Sequence, residues 1–211
     1  MELVKNPLFA RYFDRCGARL EERGGRELRG ELLAGLSGRV LEVGAGTGLN
    51  FPHYPPQVRE VVAVEPEPYL RRRAAQAAAA APVPVQVTDG TAAELPAADG
   101  EFDAVVFSGL LCSVSDVPAA LVEFRRVLRP GGELRFWEHV RSRDPMFARF
   151  QQLADLAWPH LMGGCHVQRQ TQAAIGEVFT IEACRGFRFP PSAPLSPAAP
   201  RILGVARKAA S

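Results

Sequence analysis

One stretch constrains this chain more than any other: Val40-Leu41-Glu42-Val43-Gly44-Ala45-Gly46-Thr47-Gly48-Leu49-Asn50, an apolar segment that passes directly into a loop with glycine at every second position. Glycine reaches positive φ without steric cost and lets a ligand lie against the main chain. A strand ending in such a loop predicts a sheet that binds a small molecule at its strand ends.

The rest of the chain supplies the sheet. Arg39 to Val43, Glu60 to Glu65, Val83 to Thr88, Phe102 to Ser108 and Glu133 to His139 are short β-branched or aromatic runs bounded by turn residues, which predicts five strands. Helical spacing predicts helices at Pro68 to Ala80 and at Val117 to Leu128, where Leu121, Phe124, Val127 and Leu128 share a stripe. Two further helices are predicted between about Asn6 and Leu36, punctuated by Gly17, Gly24 and Gly25. Strands separated by helices imply parallel crossover units, hence an α/β, doubly wound, mostly parallel sheet whose ligands sit at the carboxyl ends of the strands. After a helix from about Gln170 to Val178, the segments Phe179 to Phe187 and Ile202 to Lys208 are joined by a proline-rich connection. With no crossover helix between them they should pair antiparallel, as an edge hairpin.

A length of 211 residues with 47% hydrophobic content suits one domain over 1–211. Its expected parts are N-terminal helices (1–38), a cofactor-binding core (39–139), a lid over the substrate (140–178) and C-terminal strands (179–211). A formal charge of +2 argues against a nucleic-acid partner, and Arg71, Arg72 and Arg73 are expected on a solvated helix face. Neither a secretory leader nor an apolar run long enough to span a bilayer is evident, so a cytoplasmic protein without a membrane anchor is expected. Cys16, Cys112, Cys165 and Cys184 form no C-x-x-C pair and suit reduced thiols. Oligomeric state does not follow from these features.

The glycine loop distinguishes between nucleotide-like ligands. A dinucleotide fingerprint would require glycine where Leu49 stands, and no lysine follows to make a phosphate-binding P-loop. The pattern is E-x-G-x-G-x-G, which favours S-adenosylmethionine over a diphosphate. Val61-Val62-Ala63-Val64-Glu65 then ends a second strand in an acid that can accept hydrogen bonds from both hydroxyls of an adenosine ribose.

Downstream stand Thr88-Asp89-Gly90-Thr91-Ala92-Ala93-Glu94-Leu95-Pro96, Gly100-Glu101-Phe102-Asp103 and Leu128-Arg129-Pro130-Gly131-Gly132, the last read as a helix end and turn before the fifth strand. In this order the motifs resemble the class I S-adenosylmethionine-dependent methyltransferases, with their Rossmann-like fold. The resemblance implies that Gly44, Gly46 and Gly48 cradle the cofactor, that Glu65 holds the ribose, and that either Asp89 or the Thr91-Ala92 backbone faces adenine. Glu42, Asn50, Pro66 and Ser108 complete the expected cofactor set. A closer resemblance, to the methyltransferase-like thiol methyltransferases and their bacterial relatives, rests on Asn50-Phe51-Pro52-His53-Tyr54-Pro55-Pro56, Leu110-Leu111-Cys112-Ser113-Val114, Glu138-His139-Val140 and Gly163-Gly164-Cys165-His166 with Arg169. Mammalian members carry an N-terminal hydrophobic anchor, which this sequence is expected to lack.

Methyl transfer needs alignment and exclusion of water more than it needs catalytic groups. The expected acceptor is a small, fairly apolar molecule, a thiol in preference, with His139 as candidate base at the end of the fifth strand. O- or N-methylation of a secondary metabolite or quinone precursor, and a non-catalytic S-adenosylmethionine-binding role, are the alternatives. No metal is expected, because Cys165 and His166 are adjacent and make a poor ligand pair. Those two, with Trp158 and His160, are expected to shape the acceptor pocket, and Tyr12 and Phe13 to pack in the core or close over the cofactor.

Overall fold

The computed structural model describes residues 7–210, apart from the Ala18 side chain. Helices α1 (Pro7–Leu20) and α2 (Arg26–Leu33) are joined across Glu21–Gly25, where Arg23 and Gly24 leave helical angles and Gly24 takes a φ of 105°. This matches the expected pair, except that Asn6 lies outside the described residues.

Alternation then follows as the sequence implies: β1 (Gly38–Val43), β2 (Val58–Val64), α3 (Pro68–Ala78), β3 (Val85–Thr88), β4 (Phe102–Ser108), α4 (Val117–Val127) and β5 (Leu128–His139). Helices α5 (Pro145–Ala154), α6 (Trp158–Leu161) and α7 (Thr171–Val178) precede β6 (Thr180–Arg188) and β7 (Pro200–Arg207). The sheet order is β3-β2-β1-β4-β5-β7-β6. β1 to β5 run parallel, while β7 is antiparallel to both β5 and β6. The C-terminal hairpin therefore extends the sheet with its later strand inside and β6 at the edge. Strand order reverses between β1 and β4, which opens the crevice where ligands bind in such sheets.

Strands buried on both faces explain the apolar runs. Leu41, Val43, Val105 and Phe107 point into the layer shared with α4 and α7. Val40, Ala104 and Val106 point the other way, towards the layer with Leu32, Leu33 and Ala74 from α2 and α3. Prolines at the first turn and acidic caps start the helices: Glu67 accepts Leu70 N–H before α3, and Asp116 accepts Ala119 N–H before α4.

One expectation is corrected. Leu128 to Gly132 is not a turn ahead of the fifth strand but the strand's irregular beginning. Leu128 is already extended and pairs with Phe102, and the register then shifts before Ala104 meets Glu133. Gly131, at a φ of 74°, absorbs the extra residues, and the Gly131 and Lys208 N–H groups donate to Lys208 and Gly132 carbonyls across the sheet.

Packing also explains one glycine of the loop. A Cβ on Gly48, whose φ is 81°, would stand 2.6 Å from the buried Phe51 ring and 3.0 Å from Ala77 Cβ. Gly48→Ala should therefore destabilise the protein by about 2–4 kcal/mol, from left-handed backbone strain plus overpacking. Urea denaturation checks this, and a loss under about 1 kcal/mol would contradict the packing role.

Candidate cofactor and acceptor site

The glycine loop is held from below by the second strand. The N–H groups of Gly44 and Ala45 both donate to Val64 C=O, at 2.8 and 3.1 Å. Gly44, Gly46 and Gly48 all take positive φ, as the sequence implies. Their surroundings differ, however. A Cβ on Gly44 would meet Leu110 at 2.7 Å, whereas one on Gly46 would meet only the Phe13 ring, at 3.2 Å. Gly46 is thus the least crowded of the three, its nearest neighbour a ring carried on α1.

Glu65 follows β2 and is buried. One carboxylate oxygen accepts Gly46 N–H at 2.8 Å and the other accepts Glu67 N–H at 2.9 Å. Burial raises its pKa, opposed by those two bonds. A carboxylate offers about four acceptor positions, so two remain for the ribose hydroxyls expected here. A strand-end acid with spare acceptors, beside a loop whose central glycine has only an aromatic ring over it, fits an adenosyl cofactor.

Beneath the loop, Glu42 is buried at the end of β1. It accepts Asn50 Nδ2–H at 2.9 Å and the Tyr54 hydroxyl at 2.7 Å, while Arg29 donates to Asn50 Oδ1 at 2.6 Å. Burial pushes the Glu42 carboxyl up to about 7 against the bonds from Tyr54 and Asn50. Ser108 Oγ lies 3.4 Å from Asn50 Nδ2. Phe13, Arg29, Glu42, Gly44, Gly46, Asn50 and Ser108 line one small cavity, so the structure brings together the part of the cofactor set that lies around the glycine loop.

The adenine candidates stand further out. Asp89, exposed at the end of β3, accepts Gly90 N–H at 2.9 Å and Arg71 at 3.0 Å. Arg71 also donates to the carbonyls of Glu65 and Pro66, at 2.8 and 3.0 Å. It is therefore a tether between two strand ends, not only part of a solvated face. Thr91 bridges to Glu94 in the following turn, and Ala92 is buried.

On the other side of β4, Glu138 is fully buried and gathers the N–H groups of Leu110, Leu111 and Cys112, the last two at 2.9 and 3.3 Å. Burial raises its pKa to about 7 against these bonds. The turn so fixed brings Cys112 to His139 and Cys165, with His139 Nδ1 3.2 Å from Cys165 Sγ. Burial, reinforced by the charge of Arg201 and opposed by Cys165, lowers the His139 pKa. A hydrogen bond with Cys112 draws the Cys165 thiol down, against burial and with help from His139, while Cys112 is pushed up.

His166 turns away from this group, its Nδ1 2.9 Å from Asp155 Oδ2, and its backbone N–H donates to Cys112 C=O at 2.8 Å. His160 is exposed, whereas Trp158 packs against buried Cys112 and Cys165. Tyr12 is exposed, and Phe13 stands over Gly46. Arg29, Glu138 and the participation of Cys112 went unassigned from sequence. Glu138 and Cys112 stood in quoted motifs, but nothing local linked either to its partners.

A model of the methyltransferase domain matches residues 41–136. The thiol S-methyltransferase TMT1B of Homo sapiens is 38% identical over 192 residues, covering 87% of this chain and 78% of its own length. The thiol S-methyltransferase TMT1A of Homo sapiens is 39% identical over 159 residues, or 71% of this chain and 64% of its own length. A methyltransferase structure from Thermotoga maritima superposes with a TM-score of 0.69 at 21% identity, over 95% of this chain and 98% of its own, and shares the fold.

If Glu65 holds two ribose hydroxyls, Glu65→Ala should weaken S-adenosylmethionine binding by about 2–4 kcal/mol, roughly one charge-assisted bond per hydroxyl. Isothermal titration measures it, and an unchanged affinity in the folded variant would remove the assignment.

Proposed function

This chain belongs to the S-adenosylmethionine-dependent methyltransferases, within the family of the thiol S-methyltransferases, and from that premise we propose that it methylates a small, fairly apolar thiol. The observation that carries the acceptor assignment is the group of Cys112, His139 and Cys165 at the carboxyl ends of β4 and β5. That group adjoins the cofactor loop through one short stretch of chain. Leu110 stands against Gly44, and two residues later Cys112 faces His139 and Cys165.

Bound S-adenosylmethionine supplies a methyl group already activated on a sulfonium, so the protein's work is alignment and exclusion of water. In this reading Glu65 holds the ribose, the Gly44 to Gly48 backbone carries the methionine part, and Glu42 fixes the loop through Asn50. Helix α1 covers both halves of the site. Phe13 lies over Gly46, and Phe9 packs so closely on Gly163 that no side chain would fit there. Asp14 ties the same helix to α3 by accepting from Tyr69 and Arg73 at 2.8 and 3.0 Å. Closed in this way, the acceptor sulfur meets a dry wall built from the lid and the end of β5.

His139 is assigned the task of making thiolate available. Burial lowers its pKa, the direction that favours the uncharged imidazole a proton acceptor requires. The four free cysteines suit reducing surroundings, and on that ground we place the protein in the cytoplasm. Among the described residues no helix is long and apolar enough to cross a membrane.

Turnover to S-adenosylhomocysteine with a panel of thiols, phenols and amines tests the acceptor class: thiols should be the best substrates, and phenols or amines outpacing every thiol would overturn it. The role of His139 has its own signature. His139→Ala should slow thiol methylation at neutral pH and recover as pH passes the acceptor's own pKa of about 8.5, where thiolate forms unaided. A mutant-to-parent ratio of kcat/KM that stays flat from about pH 6.5 to about 9.5 would leave His139 a positioning role only.

A further inference from the structure

Three sulfur and nitrogen donors from distant parts of the chain meet at the acceptor end of the site. Cys112 lies in the turn after β4, His139 closes β5 and Cys165 belongs to the lid after α6, yet their ligand atoms all lie within 4.8 Å of one another. Cys112 and Cys165 are buried, at 1% and 6% exposure. A tetrahedral zinc ion bound by two thiolates and one imidazole requires sulfur–sulfur and sulfur–nitrogen separations of about 3.5–3.8 Å. The 3.2 Å between His139 Nδ1 and Cys165 Sγ is slightly shorter than that geometry and the other separations are bounded at 4.8 Å, so the side chains would have to adjust to seat the ion.

The backbone holding these donors is fixed independently of them. Glu138 clamps the N–H groups of Leu110, Leu111 and Cys112. Arg169 donates to Leu111 C=O at 2.5 Å, and His166 N–H bonds Cys112 C=O at 2.8 Å, which locks the lid to the turn. Adjacency in sequence pairs Cys165 with His166, a poor set of metal ligands. The structure separates these two and pairs Cys165 with residues 53 and 26 positions away instead.

We propose that Cys112, His139 and Cys165 bind a thiophilic divalent cation, zinc by its donor set, whose open fourth position takes the acceptor sulfur. Two thiolates and one imidazole with a vacant position make the arrangement of a catalytic zinc site. The inference rests on the thiol reading and gives thiolate formation to the ion in place of His139, whose nitrogen would then be a ligand and not a proton acceptor. The incoming thiol displaces water from the metal and loses its proton to solvent. Its sulfur then forms a bond to the sulfonium methyl, the old carbon–sulfur bond breaks with its electron pair left on S-adenosylhomocysteine, and the thioether departs as water returns.

Cobalt(II) titration of the reduced, metal-free full chain tests this through its spectrum. The expected result is stoichiometric binding with a thiolate-to-cobalt charge-transfer band and tetrahedral visible bands, weakened more than about tenfold in affinity in Cys112→Ser and in Cys165→Ser. Cys184→Ser, on β6, should bind as the parent does. Adding thiophenol should shift the visible bands. Absence of the charge-transfer band in the parent, or a cobalt affinity in Cys165→Ser equal to the parent's, overturns the site, and bands unmoved by thiophenol overturn the acceptor position. Activity separates the two readings. Full-rate thiol methylation by chelator-treated protein defeats the metal proposal and leaves the thiol function standing, whereas a thiol-responsive cobalt spectrum without thiol methylation defeats the function and leaves the site.

Discussion

The Glu65 carboxylate, shared between Gly46 N–H and Glu67 N–H, is the interaction on which the glycine-loop side of the molecule depends. Burying a carboxylate is costly unless hydrogen bonds replace its water. Here the replacement comes from the two segments whose relative position matters: the glycine loop after β1 and the entrance to α3. Glu67, placed by that bond, caps α3 through Leu70 N–H, and Arg71 on the first turns of the helix returns to the carbonyls of Glu65 and Pro66. One acid therefore sets the loop, the helix start and its own orientation before any ligand arrives.

The same device recurs at two other strand ends. Glu42 in β1 gathers Asn50 and Tyr54 and so holds the turn that continues the glycine loop. Glu138 in β5 gathers three successive N–H groups after β4 and so presents Cys112 to His139 and Cys165. All three carboxylates are buried, and each has its pKa raised mainly by that burial. A parallel sheet ends in loops that lack ladder partners, and an acid at the strand end supplies acceptors for several orphaned donors at once. Preorganisation of this kind keeps the site's geometry from being spent on ordering loops when ligands bind.

Most of the fold was legible because its signals are local. Alternating apolar runs and helical stripes marked the strands and helices of the core, and the absence of a crossover helix between Phe179 and Lys208 marked the antiparallel pair. The beginning of β5 was misread, since Pro130-Gly131-Gly132 carries turn chemistry that the sheet absorbs as an irregularity. Glycine spacing showed the loop but not the different duties within it. A Cβ on Gly48 would crowd Phe51 and Ala77 and one on Gly44 would crowd Leu110, whereas one on Gly46 would come no closer than 3.2 Å, to Phe13. The group of Cys112, His139 and Cys165 was illegible as a cluster. Cys112, His139 and Cys165 sit in three segments with no shared period, and adjacency drew attention to His166, which the fold turns towards Asp155.

The most direct test of the account is a crystal structure with S-adenosylhomocysteine bound. It predicts both ribose hydroxyls within about 3 Å of the Glu65 carboxylate, with the ligand's sulfur facing Leu110 to Cys112 across the glycine loop. A ribose held elsewhere, with Glu65 bonded only to Gly46 and Glu67, would contradict it.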